Sequence, residues 1–282
     1  MRKLIRGLQE FRTSYVSTHS DLLEQLAQGQ NPRVLFITCS DSRIDPNLLT
    51  HTDLGDLFVI RNAGNIIPPY GAANGGEGAT VEYAVHALDI RQIVVCGHSH
   101  CGAMKGLLQV GELEQKMPLV YDWLKHAEAT RRLVYDSYKG LGKEELLEIM
   151  VAENVLTQIE NLKTYPVVRS KLFQGKLKIF AWIYLIETGE VLAYDPETHC
   201  YMPPHVQLTE YEPGEGPLPE HFMYTSGPHA ICHLPIPEHP EVTQPQPATI
   251  PDDRRSSHHP AQESIAPWLS PEQAERIYRG SR

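Results

Sequence analysis

At 282 residues, 41% hydrophobic and 21% charged, the sequence can bury a sizeable core and has the composition of a soluble globular protein. A formal net charge of −10 excludes nucleic acid as the main partner, because phosphate binding needs a basic face. The longest apolar run, 179–186, is far too short to span a bilayer, and no membrane association is expected. Five cysteines and no export-type leader point to a reducing, cytoplasmic setting where thiols serve metals or catalysis.

In chain order, Leu4, Ile5, Leu8 and Phe11 fall at helical spacing and predict a helix over 3–18, followed by a second over 20–28. A strand over 33–38 ends abruptly in Cys39, Ser40, Asp41, Ser42 and Arg43. Further strands are predicted over 57–61, 92–97, 177–186 and 191–194, and further helices over 76–88, 120–138 and 143–163. This alternation predicts an α/β fold with a mainly parallel central sheet flanked by helices. Chemistry in such sheets gathers beyond the carboxyl ends of strands. Two of those ends carry reactive side chains: "VLFITCSDSR" and "QIVVCGHSHCG".

Proline usage sets the domain organisation. From Pro203 onward 15 of 80 residues are proline, against seven in the first 202, and such a segment cannot be mostly helix or interior strand. A folded domain is expected over 1–204. Phe222, Tyr224 and Ile231 suggest that 205–236 packs against it, while 237–263 reads as a flexible linker. Residues 264–282 read as a short docking helix. Ser270 and Gln273 form a capping box, Pro271 takes the first helical position, and Gly280 ends the helix. Trp268, Leu269, Ile277 and Tyr278 are its apolar anchors, and a helix this short needs a partner to fold on.

Cys39 lies at the first loaded strand end, and His98 and Cys101 at the second, spaced H-x-x-C with Gly97 and Gly102 expected to make tight turns. Two thiolates and one imidazole suit zinc, whose catalytic sites use three protein ligands and leave a position open. His100, two residues from His98, should point away. Asp41 can reach the open position or accept a hydrogen bond there, and Arg43 can hold its carboxylate by paired hydrogen bonds. The bland alternative for Asp41 and Arg43 is a surface ion pair.

"CSDSR" at 39–43, "FVIRNAGN" at 58–65, "EYAV" at 82–85 and "GHSHCG" at 97–102 resemble, in this order, the β-class carbonic anhydrases, over about residues 20–195. The resemblance implies a parallel-type α/β sheet, one zinc per subunit on Cys39, His98 and Cys101, and obligate dimers that often assemble further. The implied reaction is CO2 + H2O ⇌ HCO3⁻ + H⁺, with Asp41 and Arg43 as the catalytic pair. Gln30 in "AQGQNP", Phe58, Tyr83 and Gly102 fall on the family's substrate-side positions. Two thiolates cancel the metal's formal charge and weaken it as a Lewis acid, so activity is expected to rise above neutral pH. Members that place the aspartate on zinc under bicarbonate control carry a tryptophan three residues before the first cysteine. Phe36 stands there in this sequence, and an open site is expected.

The proline-rich tail is similar to that of cyanobacterial carboxysomal members, which implies a carboxysome scaffold protein as partner. Two rival readings use the same residues: hydrolysis of CS2 or carbonyl sulfide, and a non-catalytic, zinc-stabilised scaffold component acting through its tail. The remaining features carry bland readings. "GAANGGEG" at 71–78 lacks the Lys-Ser/Thr of a phosphate loop and reads as a turn opening a helix. Cys96 reads as a core thiol. Cys200 and Cys232 lie in irregular sequence, with no second metal site expected.

Overall fold

The computed structural model describes residues 1–73 and 75–204. The packing segment 205–236, the linker 237–263, the docking helix 264–282 and Cys232 lie outside the described residues. The folded region is built on a six-stranded sheet of order β2-β1-β3-β4-β5-β6. Its strands are β1 (Val34–Cys39), β2 (Leu57–Asn62), β3 (Gln92–His98), β4 (Lys178–Tyr184), β5 (Val191–Asp195) and β6 (Cys200–Met202). The first four run parallel, and β5 and β6 add antiparallel at one edge.

The continuous apolar runs of β1 and β3 have a direct cause. Both strands sit inside the parallel sheet and are buried on both faces, so neither shows polar alternation. Leu35, Ile37 and Cys39 share one face of β1 with Ile93 and Val95 of β3, and the helix Lys143–Lys163 packs onto it. Phe36, Val94 and Cys96 belong to the opposite face, where Phe36 meets Trp182 edge-on at 6.1 Å between ring centroids. Burial pushes the Cys96 thiol up to about 12, which leaves it an inert core residue as the sequence suggests.

Three readings need correction. Cys200 is not in irregular chain but opens β6, a strand too short to show periodicity before Pro203 and Pro204. The single helix expected over 120–138 is two, Pro118–Leu124 and Glu128–Ser137, joined by a tighter turn at Lys125–Ala127. Gly97 makes no turn: it lies within β3, where a Cβ would stand 2.8 Å from Val155 Cγ2 and 3.1 Å from Val151 Cγ1 of the long helix. Its role is close approach of helix to strand. The left-handed residue of the turn beyond β3 is His100, with φ 54°.

Candidate metal centre

From β1 the chain passes to β2 on one side and then crosses to β3 on the other. The carboxyl ends of β1 and β3 therefore border the crevice where the winding reverses, the usual place for a site in an open parallel sheet. Register pairs Thr38 with Cys96, so Cys39 and His98 emerge side by side, and Cys101 follows at the start of the helix Gly102–Leu108. Among the described residues, Cys39, His98 and Cys101 form the group whose ligand atoms gather closely enough for a metal, all within 4.8 Å and all buried.

Each ligand is aimed by a backbone contact. His98 Nδ1 lies 2.9 Å from the Ser99 carbonyl, which places the ring proton on Nδ1 and leaves the Nε2 lone pair for the cluster. Ser99 in turn is tied to the β4–β5 turn. Its amide donates to the Tyr184 carbonyl at 2.9 Å, and its hydroxyl donates to Glu187 Oε2 at 2.7 Å. The Gly64 amide donates to Cys39 Sγ at 3.4 Å, and the amides of Ala103 and Met104 face the Cys101 sulfur.

Asp41 and Arg43 occupy the loop beside this group. Arg43 donates through Nε to Asp41 Oδ1 at 2.9 Å and through Nη2 to Oδ2 at 2.7 Å, while the Arg43 amide adds a bond to Oδ1 at 3.0 Å. Oδ2 lies 3.9 Å from His98 Nε2, so this oxygen faces the cluster. The Arg43 hydrogen bonds hold the Asp41 carboxyl well below the usual carboxylate range.

Arg61, which sequence reasoning missed, organises the same loop from β2. Its Nε donates to the Cys39 carbonyl at 3.0 Å, and its Nη2 donates to the carbonyls of Asp41 and Ile44 at 2.7 and 2.8 Å. The strand register puts it there, directly opposite Thr38 and one residue short of Cys39.

The donor set fits a soft divalent cation. Cys39 and Cys101 sulfurs lie 4.0 Å apart, and the His98 Nε2 atom is buried without a hydrogen-bond partner among the described residues. The Cys101 thiol pulls Cys39 well below the usual thiol range, while the Cys39 sulfur and burial push Cys101 up. A thiolate pair and an orphaned imidazole nitrogen converging on one point are what zinc compensates.

Comparison with known proteins agrees with this geometry. The carbonic anhydrase family profile matches residues 34–191. A carbonic anhydrase of Synechococcus elongatus is 57% identical over 100% of this chain and 99% of its own length. The chain belongs to the β-class carbonic anhydrases. It is accordingly an enzyme, a carbonate dehydratase. The solved β-carbonic anhydrase CcaA superposes with a TM-score of 0.72 at 66% identity, covering 72% of this chain and 99% of that one. One of two tetrameric β-carbonic anhydrases of Sordaria macrospora gives a TM-score of 0.61 at 26% identity, over 68% and 95%.

Within this carbonic anhydrase fold the expected substrate-side residues separate into two places. Gly102 is at the cluster, beside Cys101, and a Cβ there would meet open space. Gln30 is exposed and precedes the amino end of β1. Phe58 pairs with Leu35, four residues before Cys39, which puts it about 13 Å back along the strand. Tyr83 goes with Phe58, at 6.0 Å between ring centroids. These three do not wall the metal group of their own chain. They lie at the amino end of the sheet and the cluster at the carboxyl end.

Proposed function

We propose that Cys39, His98 and Cys101 hold one zinc ion per subunit, and that the hydration of CO2 takes place in front of it. The observation that carries this reading is the buried Cys-His-Cys group with an arginine-clamped carboxylate directed at it. When bound, zinc supplies a Lewis acid that makes water nucleophilic near neutral pH. Asp41 accepts a hydrogen bond from the attacking water and turns its remaining lone pair toward CO2. Arg43 keeps the carboxylate ionised and immobile. So acidic a carboxyl is too weak a base to store the released proton, so Asp41 orients and does not shuttle.

The separation of Gln30, Phe58 and Tyr83 from the cluster supports a homodimer in which they line the site of a second copy. Tyr83 is half exposed, and the helix Arg2–Glu10 buries none of its residues, leaving Leu4, Ile5 and Leu8 exposed. Covering such faces is what association achieves. The domain division 1–204, 205–236, 237–263 and 264–282 completes this reading, with the tail docking the enzyme to a carboxysome scaffold protein. The match to the relative from the cyanobacterium Synechococcus elongatus runs through the tail, which supports a function for it. Among the described residues no helix is long and apolar enough to cross a membrane.

Stopped-flow CO2 hydration on zinc-assayed protein tests the central claim. Activity should be lost on chelation, return with zinc, rise from neutral to mildly alkaline pH, and sediment with a dimer or larger species. Asp41 stays ionised over this whole interval, so the rise belongs to the metal centre, and a flat profile would contradict it. Zinc-replete protein without hydration would favour CS2 or carbonyl sulfide as substrate, or the scaffold reading. Truncation after Pro204 should leave hydration intact while abolishing recovery with carboxysomes; unchanged recovery would remove the docking role.

A further inference from the structure

The loop after β2 is held far more firmly than a connecting segment needs. Asn62 brackets it, its carboxamide pairing with both the amide and the carbonyl of Ile66 at 2.8 Å. Three amide side chains along the helix Lys143–Lys163 grip it from the core side. Asn154 donates to the Gly64 carbonyl at 2.9 Å, Gln158 accepts from the Ile67 amide at 2.9 Å, and Asn161 donates to the Ile67 carbonyl at 2.9 Å. Gln158 also donates to Asn154 Oδ1 at 2.8 Å, so the grips are linked. Burying carboxamides in a helix–sheet core is costly unless every group is paired, and Asn154 and Gln158 are almost wholly buried.

What this loop delivers is a single group. The peptide joining Ala63 to Gly64 donates its N–H to Cys39 Sγ at 3.4 Å. The carbonyl of that same peptide accepts the Trp123 indole N–H at 2.8 Å. The next carbonyl, that of Gly64, is the one Asn154 holds. Gly64 has φ 84°, and a Cβ there would stand 2.8 Å from Met104 Cε, so the turn admits only glycine without a shift.

We propose that Trp123 and Asn154 are positioning residues of the metal centre, clamping the peptides on either side of Gly64 so that its N–H remains on the Cys39 sulfur. Indole, peptide and thiolate form one chain of hydrogen bonds in which each donor polarises the next. An N–H on a thiolate draws charge from the sulfur and reduces what it donates to a cation. Two thiolates would otherwise cancel the charge of a divalent metal, and this contact returns part of its strength as a Lewis acid. The inference rests on the metal centre proposed above.

The test uses the full chain with cobalt(II) in place of zinc, whose thiolate-to-metal charge-transfer band reports the sulfur directly. Trp123→Phe keeps an aromatic ring and removes the indole donor; Asn154→Ala removes the second clamp. In both, cobalt occupancy should stay at the wild-type level, the band should move to longer wavelength, and kcat should fall about tenfold with KM little changed. Tyr135→Phe removes a bond of the same kind, to the Leu108 carbonyl, with no link to Gly64, and its band should coincide with wild type. If Trp123→Phe does not fold, Asn154→Ala carries the test. Fully loaded variants with unmoved bands would overturn the inference and leave the metal centre intact. A wild-type chain that takes up cobalt without thiolate bands would overturn both.

Discussion

Asp41→Asn should lower CO2 hydration by about a hundredfold to a thousandfold while the zinc content of the protein stays unchanged. The reason lies in how the two carboxylate oxygens are used. Oδ1 takes two donors, the Arg43 amide and Nε, and Oδ2 takes Nη2 while facing the cluster. An asparagine has one acceptor oxygen, and the doubly bonded Oδ1 position claims it. The amide nitrogen must then take the place of Oδ2, against the Arg43 Nη2 donor and pointing into the site. A group that accepted a hydrogen bond from water now offers one, and the attacking lone pair is turned away from CO2. None of the three metal-facing side chains is altered, so a variant with zinc in place and kcat/KM within a few-fold of wild type would refute the orienting role.

The architecture of the site was legible where sequence and chain path coincide. The runs over 33–38 and 92–97 are continuous because β1 and β3 are buried on both faces, and they end in polar residues because the sheet ends there. Cys39, His98 and Cys101 could be paired from a distance since loaded carboxyl ends of parallel strands share one edge. Asp41 and Arg43 were legible because their contact is local, two residues apart.

Other parts needed the folded register. Arg61 binds backbone carbonyls, which carry no residue identity, so no pairing pattern announces it. Trp123 meets Ala63 across 60 residues, through an atom every peptide possesses. Gly97 looked like a turn residue and is instead a contact point for Val151 and Val155, a role set by the approach of a helix 50 residues later. The helix expected over 120–138 contains no breaker, so periodicity runs through it; it divides at the tighter turn Lys125–Ala127, where Leu124, just before the turn, and Ala127, its last residue, are both buried. Gln30, Phe58 and Tyr83 are a different case. A motif places residues in an active site without saying which subunit's site it is, and only the strand register shows that they are at the wrong end of their own sheet.

Cys101→Ala should reduce zinc to a small fraction of one per subunit and hydration to the uncatalysed rate. It should also abolish the effect of chelators on thermal stability. In the wild-type chain the two sulfurs lie 4.0 Å apart in a buried site, where negative charge on one disfavours it on the other, so a cation held between them would contribute directly to the free energy of the folded state. Chelation should therefore lower the wild-type melting temperature. With Cys101 gone, Cys39 loses the donor that most strongly lowers its pKa, its thiolate becomes harder to form, and two ligands remain where three converged. The small side chain of alanine fits at the helix start, and the apo fold has one fewer buried ionisable group to accommodate. The metal-free variant should thus melt near the chelated wild type and ignore added chelator. A Cys101→Ala protein that keeps stoichiometric zinc, or wild-type protein whose melting is indifferent to chelation, would place the metal elsewhere and remove the Cys-His-Cys group from the mechanism.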